Sequence, residues 1–355
     1  MANKTESNSI KDVLAQSIKD ILELLPQDRE REIISRRFGL FDRKETLEQI
    51  GDMLGITRER VRQLEKAILI KLKMAVEGDN IQSIQDIDKN IIRDLSENGR
   101  VSRVDAVAAR LLGANPSREE VSQVAFISEL SPKLTLVNEN DNFYNVVGIK
   151  QYGDEAKIKK EATEAVKIIK KQGEPVSVDK LTDLLRYEHP SHAAGIASVS
   201  KQLAELNGMW GLTKWPTVNP KNIRDKIYVI LAENGKPMHF SEIAEAIKAS
   251  DFKRKNVTKQ AIHNELIKDG RFVLIGRGIY ALDSWGYSKG TVGDVINEVL
   301  KEAGEPLHRD EIVRRVLAKR QVKETTVLLN LQSRQQFKRV AKATYELAAP
   351  EAATK

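Results

Sequence analysis

Apolar and polar positions follow a clear helical pattern across residues 46–73. Leu47, Ile50 and Leu54 recur at the spacing of one helix face, and Gly55 interrupts the pattern. Such spacing predicts an amphipathic helix, and glycine tolerates the positive φ at which helices often end. A second helical pattern follows directly. The sequence therefore predicts two helices joined by a tight turn.

Polar residues at the predicted helix starts support this interpretation. Thr46 precedes the first helix with Gln49 three residues later, which is the spacing of a capping box. Thr57 is placed to cap the second helix through its hydroxyl. Gly51 is small at the point where we expect the second helix to cross closely. The pair is predicted to be a helix-turn-helix.

The second predicted helix has an apolar face and a polar face with distinct chemistry. Val61, Leu64, Ile68 and Leu72 face inward by their spacing. Between Thr57 and Lys73 there are six basic and two acidic residues. Four outward residues at the start of this helix carry groups that pair with base edges in the major groove: Arg58, Glu59, Arg62 and Gln63. The pattern favours DNA binding over the alternative of a solvated helix in any helical bundle.

These residues carry a resemblance to a known family. Leu25-Pro26, then DREREIISRRFGL (Asp28–Leu40), then TLEQIGDMLGITRERVRQLEKAILIKLK resembles region 4 of the sigma-70 family of bacterial initiation factors. The resemblance covers about residues 18–74. It implies recognition of the −35 promoter element and docking on the flap of the RNA polymerase β subunit. The segment from Arg36 to Leu40 then belongs to the part that packs on the helix-turn-helix and faces the polymerase.

The resemblance also implies roles for individual residues. Arg58, Glu59, Arg62 and Gln63 match base-contacting positions of the family, which agrees with their chemistry. Positions at or near phosphate match Thr46, Thr57, Arg60 and Lys66. Arg36 and Arg37 are candidate polymerase-facing residues.

A second pattern repeats along the rest of the chain. Three segments share one phrase: GEPVSVDKLTDLL, GKPMHFSEIAEAI and GEPLHRDEIVRRV, which begin at Gly173, Gly235 and Gly304. A fourth, GRVSRVDAVAARLL from Gly99, matches without the proline. Each unit predicts a helix, an extended step, two more helices and a terminal β-hairpin, which is the order of a winged helix. The unit from Gly173 shows no clear wing.

The last two repeats resemble the HARE-HTH family, which includes the delta subunit of bacterial RNA polymerase. The resemblance is carried by GKPMHFSEIAEAI with RFVLIGRGIYAL, and by GEPLHRDEIVRRV with FKRVAKATYELA. In delta-like proteins the winged domain can bind polymerase instead of DNA. Both kinds of partner therefore stay open for these units.

Basic residues in the same two repeats favour contacts with phosphate. From Arg309 to Lys342 there are ten basic and three acidic residues. Each neutralised phosphate steepens the salt dependence of DNA binding. The alternative is ordinary surface charge. The candidate secondary DNA contacts are Lys253, Arg254, Lys255, Lys259, Arg277, Arg334, Lys338 and Arg339.

Composition narrows the classes of function. The 355 residues carry a net charge of +7 and no cysteine, which excludes disulfides, thiolate zinc sites and cysteine nucleophiles. His189 and His192 are close in sequence, but the intervening Pro190 and the lack of a third nearby ligand favour a loop over a metal site. We find no catalytic constellation, so we expect no enzyme, no cofactor and no metal. No apolar run approaches a membrane span.

These observations give one set of expectations. The fold class is mainly α with small β-wings, a sigma region-4 helix-turn-helix followed by tandem winged-helix domains. Expected boundaries are a flexible tail at 1–9, the helix-turn-helix at 10–78, winged-helix-like units at 85–150 and 156–216, HARE-HTH-like units at 220–287 and 290–348, and a tail at 349–355.

The expected function is sequence-specific DNA binding at transcription initiation. The expected partners are double-stranded promoter DNA and core RNA polymerase through its β-flap, in the cytoplasm and associated with the nucleoid, without membrane contact. No promoter-melting region is recognised, so we do not expect promoter opening. The alternative is a delta-like, polymerase-associated interaction protein whose helix-turn-helix units bind protein.

Overall fold

A computed structural model describes residues 2–78, 82–252 and 256–348. The chain divides into two compact units between Val218 and Asn219, and each is described by itself. Four helices open the N-terminal unit: α1 (Ala2–Glu23), α2 (Asp28–Phe38), α3 (Leu47–Leu54) and α4 (Arg58–Glu77). Helix α1 begins at Ala2, within the segment that the sequence predicts to be a flexible tail, and the tail stays a prediction. Neither glycine nor proline interrupts the chain before Ile10, so local sequence does not stop the helix there.

Two three-helix repeats complete the N-terminal unit. The first contains α5 (Gln82–Glu97), β1 (Val101–Arg103), α6 (Val104–Leu112), α7 (Arg118–Leu130), β2 (Leu134–Val137) and β3 (Val146–Ile149). The second contains α8 (Glu155–Gln172), β4 (Val176–Ser177), α9 (Val178–Leu185), α10 (Pro190–Val199), β5 (Leu203–Leu206) and β6 (Met209–Leu212).

The C-terminal unit holds the third and fourth repeats. The third contains α11 (Ile223–Asn234), β7 (Met238–His239), α12 (Phe240–Ala249), α13 (Lys259–Lys268), β8 (Phe272–Gly276) and β9 (Ile279–Leu282), followed by a 3-10 turn at Asp283–Trp285. The fourth contains α14 (Val292–Ala303), β10 (Leu307–His308), α15 (Arg309–Lys319), α16 (Glu324–Ser333), β11 (Phe337–Ala341) and β12 (Thr344–Leu347).

All four repeats share one sheet topology. In each, the third strand is central and pairs antiparallel with both the first and the second. This is the winged-helix order of elements, so the predicted fold class is confirmed. The three glycines of the Gly-x-Pro phrase end α8, α11 and α14 in the left-handed region, with φ of 77°, 65° and 66°.

The second repeat carries a wing that the sequence analysis overlooked. Strands β5 and β6 pair from Leu203 with Leu212 to Leu206 with Met209. Asn207 and Gly208 join them, both at positive φ. Asn-Gly is the preferred pair for a tight two-residue hairpin turn. The expectation that this unit lacks a clear wing is therefore wrong, and this dipeptide was the available signal.

Candidate nucleic-acid interface

The turn between α3 and α4 is held by the residues that the sequence singled out. Thr46 Oγ1 accepts from Gln49 N–H at 3.2 Å, and Thr46 N–H donates to Gln49 Oε1 at 2.9 Å. Thr57 Oγ1 accepts from Arg60 N–H at 3.2 Å. Gly55 ends α3 with a φ of 63°. Both helices therefore begin at the predicted residues, and α3 ends at the predicted glycine, whereas α4 continues past Lys73 to Glu77.

Gly51 is constrained by the turn itself. A Cβ at Gly51 would lie 2.6 Å from the carbonyl oxygen of Ile56. The nearest neighbour is thus a backbone atom of the turn, and the backbone nitrogen of Arg58, the first residue of α4, would lie 3.5 Å away. The absence of a side chain lets the turn fold tightly onto α3.

The α4 helix presents one apolar and one polar face. Val61, Ile68 and Leu72 are buried, and Leu64 is half-buried against the same core. The outer surface of α4 carries exposed side chains that we call the α4 polar face: Arg58, Glu59, Arg60, Arg62, Gln63 and Lys66. The structure brings all the candidate base-reading side chains together on one exposed surface at the start of this helix.

Members of the α4 polar face are paired with one another. Arg62 donates from Nε and Nη2 to the two carboxylate oxygens of Glu59 at 2.8 and 2.7 Å. The hydrogen bonds from Arg62 lower the pKa of Glu59, so this carboxylate stays ionised at neutral pH. Gln63 Nε2 donates to Glu59 Oε1, and Arg60 Nη1 donates to Gln63 Oε1, each at 3.4 Å. Hydrogen bonds among these side chains therefore fix the positions of donors and acceptors on this face.

Arg36 and Arg37 make ion pairs inside the domain. Arg37 Nε donates to Glu65 on α4 at 3.0 Å, which holds α2 against α4. Arg36 pairs with Glu32 and Glu45, each at 2.9 Å, and its pKa is raised by hydrogen bonds to them. Arg36 also borders a cavity of about 450 Å³ that includes Phe41. Of the two arginines, Arg36 lies where a partner can reach it.

Comparison with known proteins identifies this part of the chain. Residues 22–74 match the family model of sigma-70, region 4. A relative described as RNA polymerase sigma factor sigB from Arabidopsis thaliana is 39% identical over 79 residues, which is 22% of this chain and 14% of the relative. The chain thus spans a small part of the length of this relative. We call residues 22–74 the region 4 segment.

One solved structure extends over more of the chain with low similarity. The bacterial selenocysteine-specific elongation factor EF-Sec aligns with 72% of this chain and 37% of its own, at 16% identity and a TM-score of 0.21. A score this low adds no argument about fold or function. None of these matches tests the proposed likeness of the last two repeats to the delta subunit.

The region 4 segment shares a hydrophobic core with the first repeat. Phe38 of α2 packs on Phe126 of α7 with ring centroids 4.8 Å apart. Gln123 Nε2 donates to the Leu40 carbonyl at 2.8 Å, and Lys73 pairs with Glu129 at 2.6 Å. Buried residues of α1–α4 and of the first repeat thus belong to one hydrophobic cluster. Helix α7 covers Leu40 and the adjoining side of α2, where the sequence analysis expected a polymerase-facing segment.

The third helix of the second repeat is also buried. Ala193, Ile196 and Ala197 of α10 lie in the core. A Cβ at Gly195 would lie 2.5 Å from the Val101 carbonyl oxygen, and one at Gly99 would lie 2.1 Å from that of Ser191. Two glycines thus let α10 pack directly on the backbone of the first repeat. In a winged helix the third helix is the one that enters a DNA groove. Here the third helices α7 and α10 are buried, so they support the fold instead.

The third helices of the C-terminal unit keep exposed faces. On α13 these include Lys259, Gln260 and Asn264, of which sequence reasoning missed the two amides although they are one turn apart. Gln260 Nε2 donates to Asn264 Oδ1 at 3.1 Å. Lys259 lies 3.7 Å from Glu245. Arg277 is exposed at the tip of the third wing, whereas Lys253, Arg254 and Lys255 lie outside the described residues.

In the fourth repeat the cations divide between ion pairs and the wing. Arg314 and Arg315 pair with Glu311, each at 2.6 Å, and these bonds hold its pKa at about 2. Lys319 pairs with Glu298 and Glu302. Lys338 and Arg339, by contrast, are exposed along β11. The remaining candidate DNA contact in this repeat, Arg334, is directed toward α14, since a Cβ at Gly293 would lie 2.3 Å from Arg334 Nη1.

Neither a metal-binding cluster nor a membrane-spanning helix is present among the described residues. Within residues 2–78, 82–252 and 256–348, no group of three His, Cys, Asp or Glu side chains is arranged to hold a metal ion. No helix in the described part of the chain is long and apolar enough to cross a membrane.

Proposed function

We propose that the chain recognises a promoter element of the −35 type by inserting α4 into the major groove of duplex DNA, and that it acts at transcription initiation together with RNA polymerase. The observation that supports this most directly is the α4 polar face, which is exposed at the start of the second helix of a segment that matches sigma-70 region 4. Base contact by helix-turn-helix proteins is made at that end of the helix.

Each side chain of the α4 polar face has a definite role in the proposal. Arg58 and Arg62 donate to guanine, Glu59 accepts from cytosine N4, and Gln63 pairs with adenine. Arg62 exchanges part of its pairing with Glu59 for a base edge. The pair is fully exposed, so opening it in water has little cost.

Phosphate contacts position this helix on the duplex. Arg60 and Lys66 are exposed beside the base-reading residues. The hydroxyl oxygens of Thr46 and Thr57 already accept from backbone N–H groups, which leaves each O–H free to donate to a phosphate oxygen. These four residues set affinity and register, and they carry no sequence information.

Polymerase binding is proposed for the surface around Arg36 and Phe41. Phe41 is 55% exposed, although it is a large aromatic residue. Together with Arg36 it borders the 450 Å³ cavity, whose floor includes Leu22. The lining combines two apolar side chains with seven charged ones, and an exposed aromatic residue among charges suits a protein partner, here the β-flap. Contacts of Arg37 are internal, so the proposal places polymerase binding on Arg36 and not on Arg37.

An interaction protein of the delta type is the second candidate function. The observation that favours it is the composition of α16, ETTVLLNLQS, which has no basic residue and exposes Leu329 by 62%. A groove-binding helix normally carries cations, whereas an exposed leucine suits a protein surface. Retention of core polymerase without retention of DNA at moderate salt would favour this candidate.

The test of DNA recognition is selection of bound duplexes from random sequence, followed by gel shift with the Arg62→Ala variant. We expect Arg62→Ala to weaken binding to the selected site by about 1–3 kcal/mol and to leave binding to unrelated duplex nearly unchanged. Lys167→Ala is the matched control, since Lys167 is an exposed cation on α8. Equal loss on every sequence would reduce α4 to a nonspecific clamp.

A further inference from the structure

A polar cavity of about 410 Å³ opens between the first and second repeats. It lies where the end of α5 and the start of β1 meet the start of α10. Its cationic wall is formed by Arg100 and Arg186, with His189 and His192 beside them and Glu188 as the acidic lining residue. The function proposed above makes no use of this cavity.

The position of Arg100 explains an irregularity in the sequence repeat. Arg100 has a φ of 69°, so two successive residues, Gly99 and Arg100, are left-handed in the repeat that lacks the proline. A proline at position 101 would force the preceding residue into an extended conformation. Val101 therefore permits the unusual backbone of Arg100, whose guanidinium lies 4.2 Å from the centre of the Tyr152 ring.

Arg186 reaches the same cavity from a second strained position. It ends α9 with a φ of 59°, where glycine is the usual residue. A non-glycine residue in this region costs free energy, and such residues are frequent at functional sites. Two of the four non-glycine residues with positive φ in the described chain are thus the arginines of one cavity.

The surroundings of this cavity are electropositive. The pKa of His192 is lowered first by burial and then by the positive charges of Arg100, Lys157 and His189. His192 stacks on Tyr187 with ring centroids 4.2 Å apart, so its position is fixed. Helix α10 begins at this wall, and the His189 side chain does not cap it. The start of a helix adds partial positive charge. Pro190 has no N–H and His192 N–H already donates to the His189 carbonyl at 3.1 Å, so α10 contributes this charge more than hydrogen-bond donors.

We propose that this cavity binds one phosphate group, held by the guanidinium groups of Arg100 and Arg186 and by the start of α10. Arginine forks match phosphate oxygens in geometry and charge. The phosphate is either free inorganic phosphate or one phosphate of a nucleic-acid backbone. The site is independent of base reading by α4.

Thermal unfolding of the full chain in sodium phosphate tests the site, with sodium chloride holding ionic strength constant. We expect a rise in Tm that saturates, as for a ligand bound by the folded state. R100Q/R186Q should weaken the apparent phosphate affinity at least about tenfold. R93Q is the control because Arg93 is exposed on α5 and does not line the cavity. If the double variant does not fold, the affinity is measured in R186Q alone, which changes an exposed side chain.

Two results would overturn the proposal. One is a Tm that rises without saturation and equally in all variants, since phosphate stabilises proteins generally by exclusion from their surface. The other is an unchanged affinity in R186Q and in the folded double variant.

A second arm distinguishes the sources of phosphate through binding of R186Q to duplex DNA. A salt slope reduced by about one identifies a backbone phosphate. Unchanged DNA binding, together with a lost response to inorganic phosphate, identifies the free ion.

Discussion

At the scale of single residues, Asp88 is the clearest conflict between burial and charge. It is 5% exposed on α5, and burial raises its pKa to about 6. Ser131 Oγ donates to Asp88 Oδ2 at 2.7 Å, whereas Oδ1 finds no partner among the described residues. A buried carboxylate that is only half satisfied favours protonation.

This conflict predicts how stability depends on pH. The folded-state pKa exceeds the unfolded value, so the stabilising contribution of protonated Asp88 is fully present below about pH 4 and is lost as pH rises through 6. Asp88→Asn should therefore raise the free energy of unfolding measured in urea at pH 7.5 by up to about 3 kcal/mol, and flatten the change of that free energy between pH 4 and 7. Asp86→Asn is the control, as the Asp86 side chain on the same helix is 50% exposed and pairs with Lys89. Equal effects of the two substitutions at pH 4 and at pH 7.5 would contradict the raised pKa of Asp88.

Capping residues show what the sequence predicts best. Each of these residues acts on backbone groups within four positions, so its effect can be predicted without any tertiary structure. They are Thr46, Gln49, Gly55 and Thr57. The exposure of the α4 polar face follows in the same way from the helical period. By contrast, the left-handed conformation of Arg100 depends on its stacking and on the next residue, and only the missing proline hinted at it.

At the scale of elements, the sequence identified the helices but not their neighbours. The apolar residues of α7 have the same pattern whether they meet their own sheet or the region 4 segment. Their contact with α2 joins positions more than eighty residues apart, as for Gln123 and Leu40. No local signal encodes such a pairing. The burial of α10 on β1 was missed for the same reason, although Gly195 within a helical pattern was a visible sign of close approach.

The shared core predicts that region 4 and the first repeat unfold together. Phe126→Ala removes a fully buried ring against Phe38 and should cost about 3–5 kcal/mol. Hydrogen exchange should then accelerate in α2 and α4 as well as in α7. Phe272→Ala is the control, since it truncates a buried ring in the C-terminal unit. Acceleration confined to α5–α7 would show that the region 4 segment is independently stable.

At the scale of the whole molecule, the repeats divide into two kinds. In the first two, the third helix is buried and the repeat extends the core of the N-terminal unit. In the last two, the third helix and the wing keep polar surface exposed. A winged-helix sequence pattern alone does not separate these cases, because the buried face of the third helix is similar in all of them. Net charge is also a weak guide to DNA binding, since several cations of the fourth repeat form ion pairs within the repeat.

The exposed wing predicts a measurable part of the salt dependence of DNA binding. Lys338 and Arg339 lie on β11, and each phosphate they neutralise contributes about 0.9 to the slope of log K against log salt. Lys338→Gln with Arg339→Gln should therefore lower that slope by about two in the full chain, with sequence preference unchanged because phosphate contacts carry no sequence information. Lys167→Gln should leave the slope as it is, since Lys167 is an exposed cation on α8 and lies outside the fourth repeat. A slope that does not change in the wing variant would show that β11 neutralises no phosphate, and α4 would then account for the DNA contact without the wing.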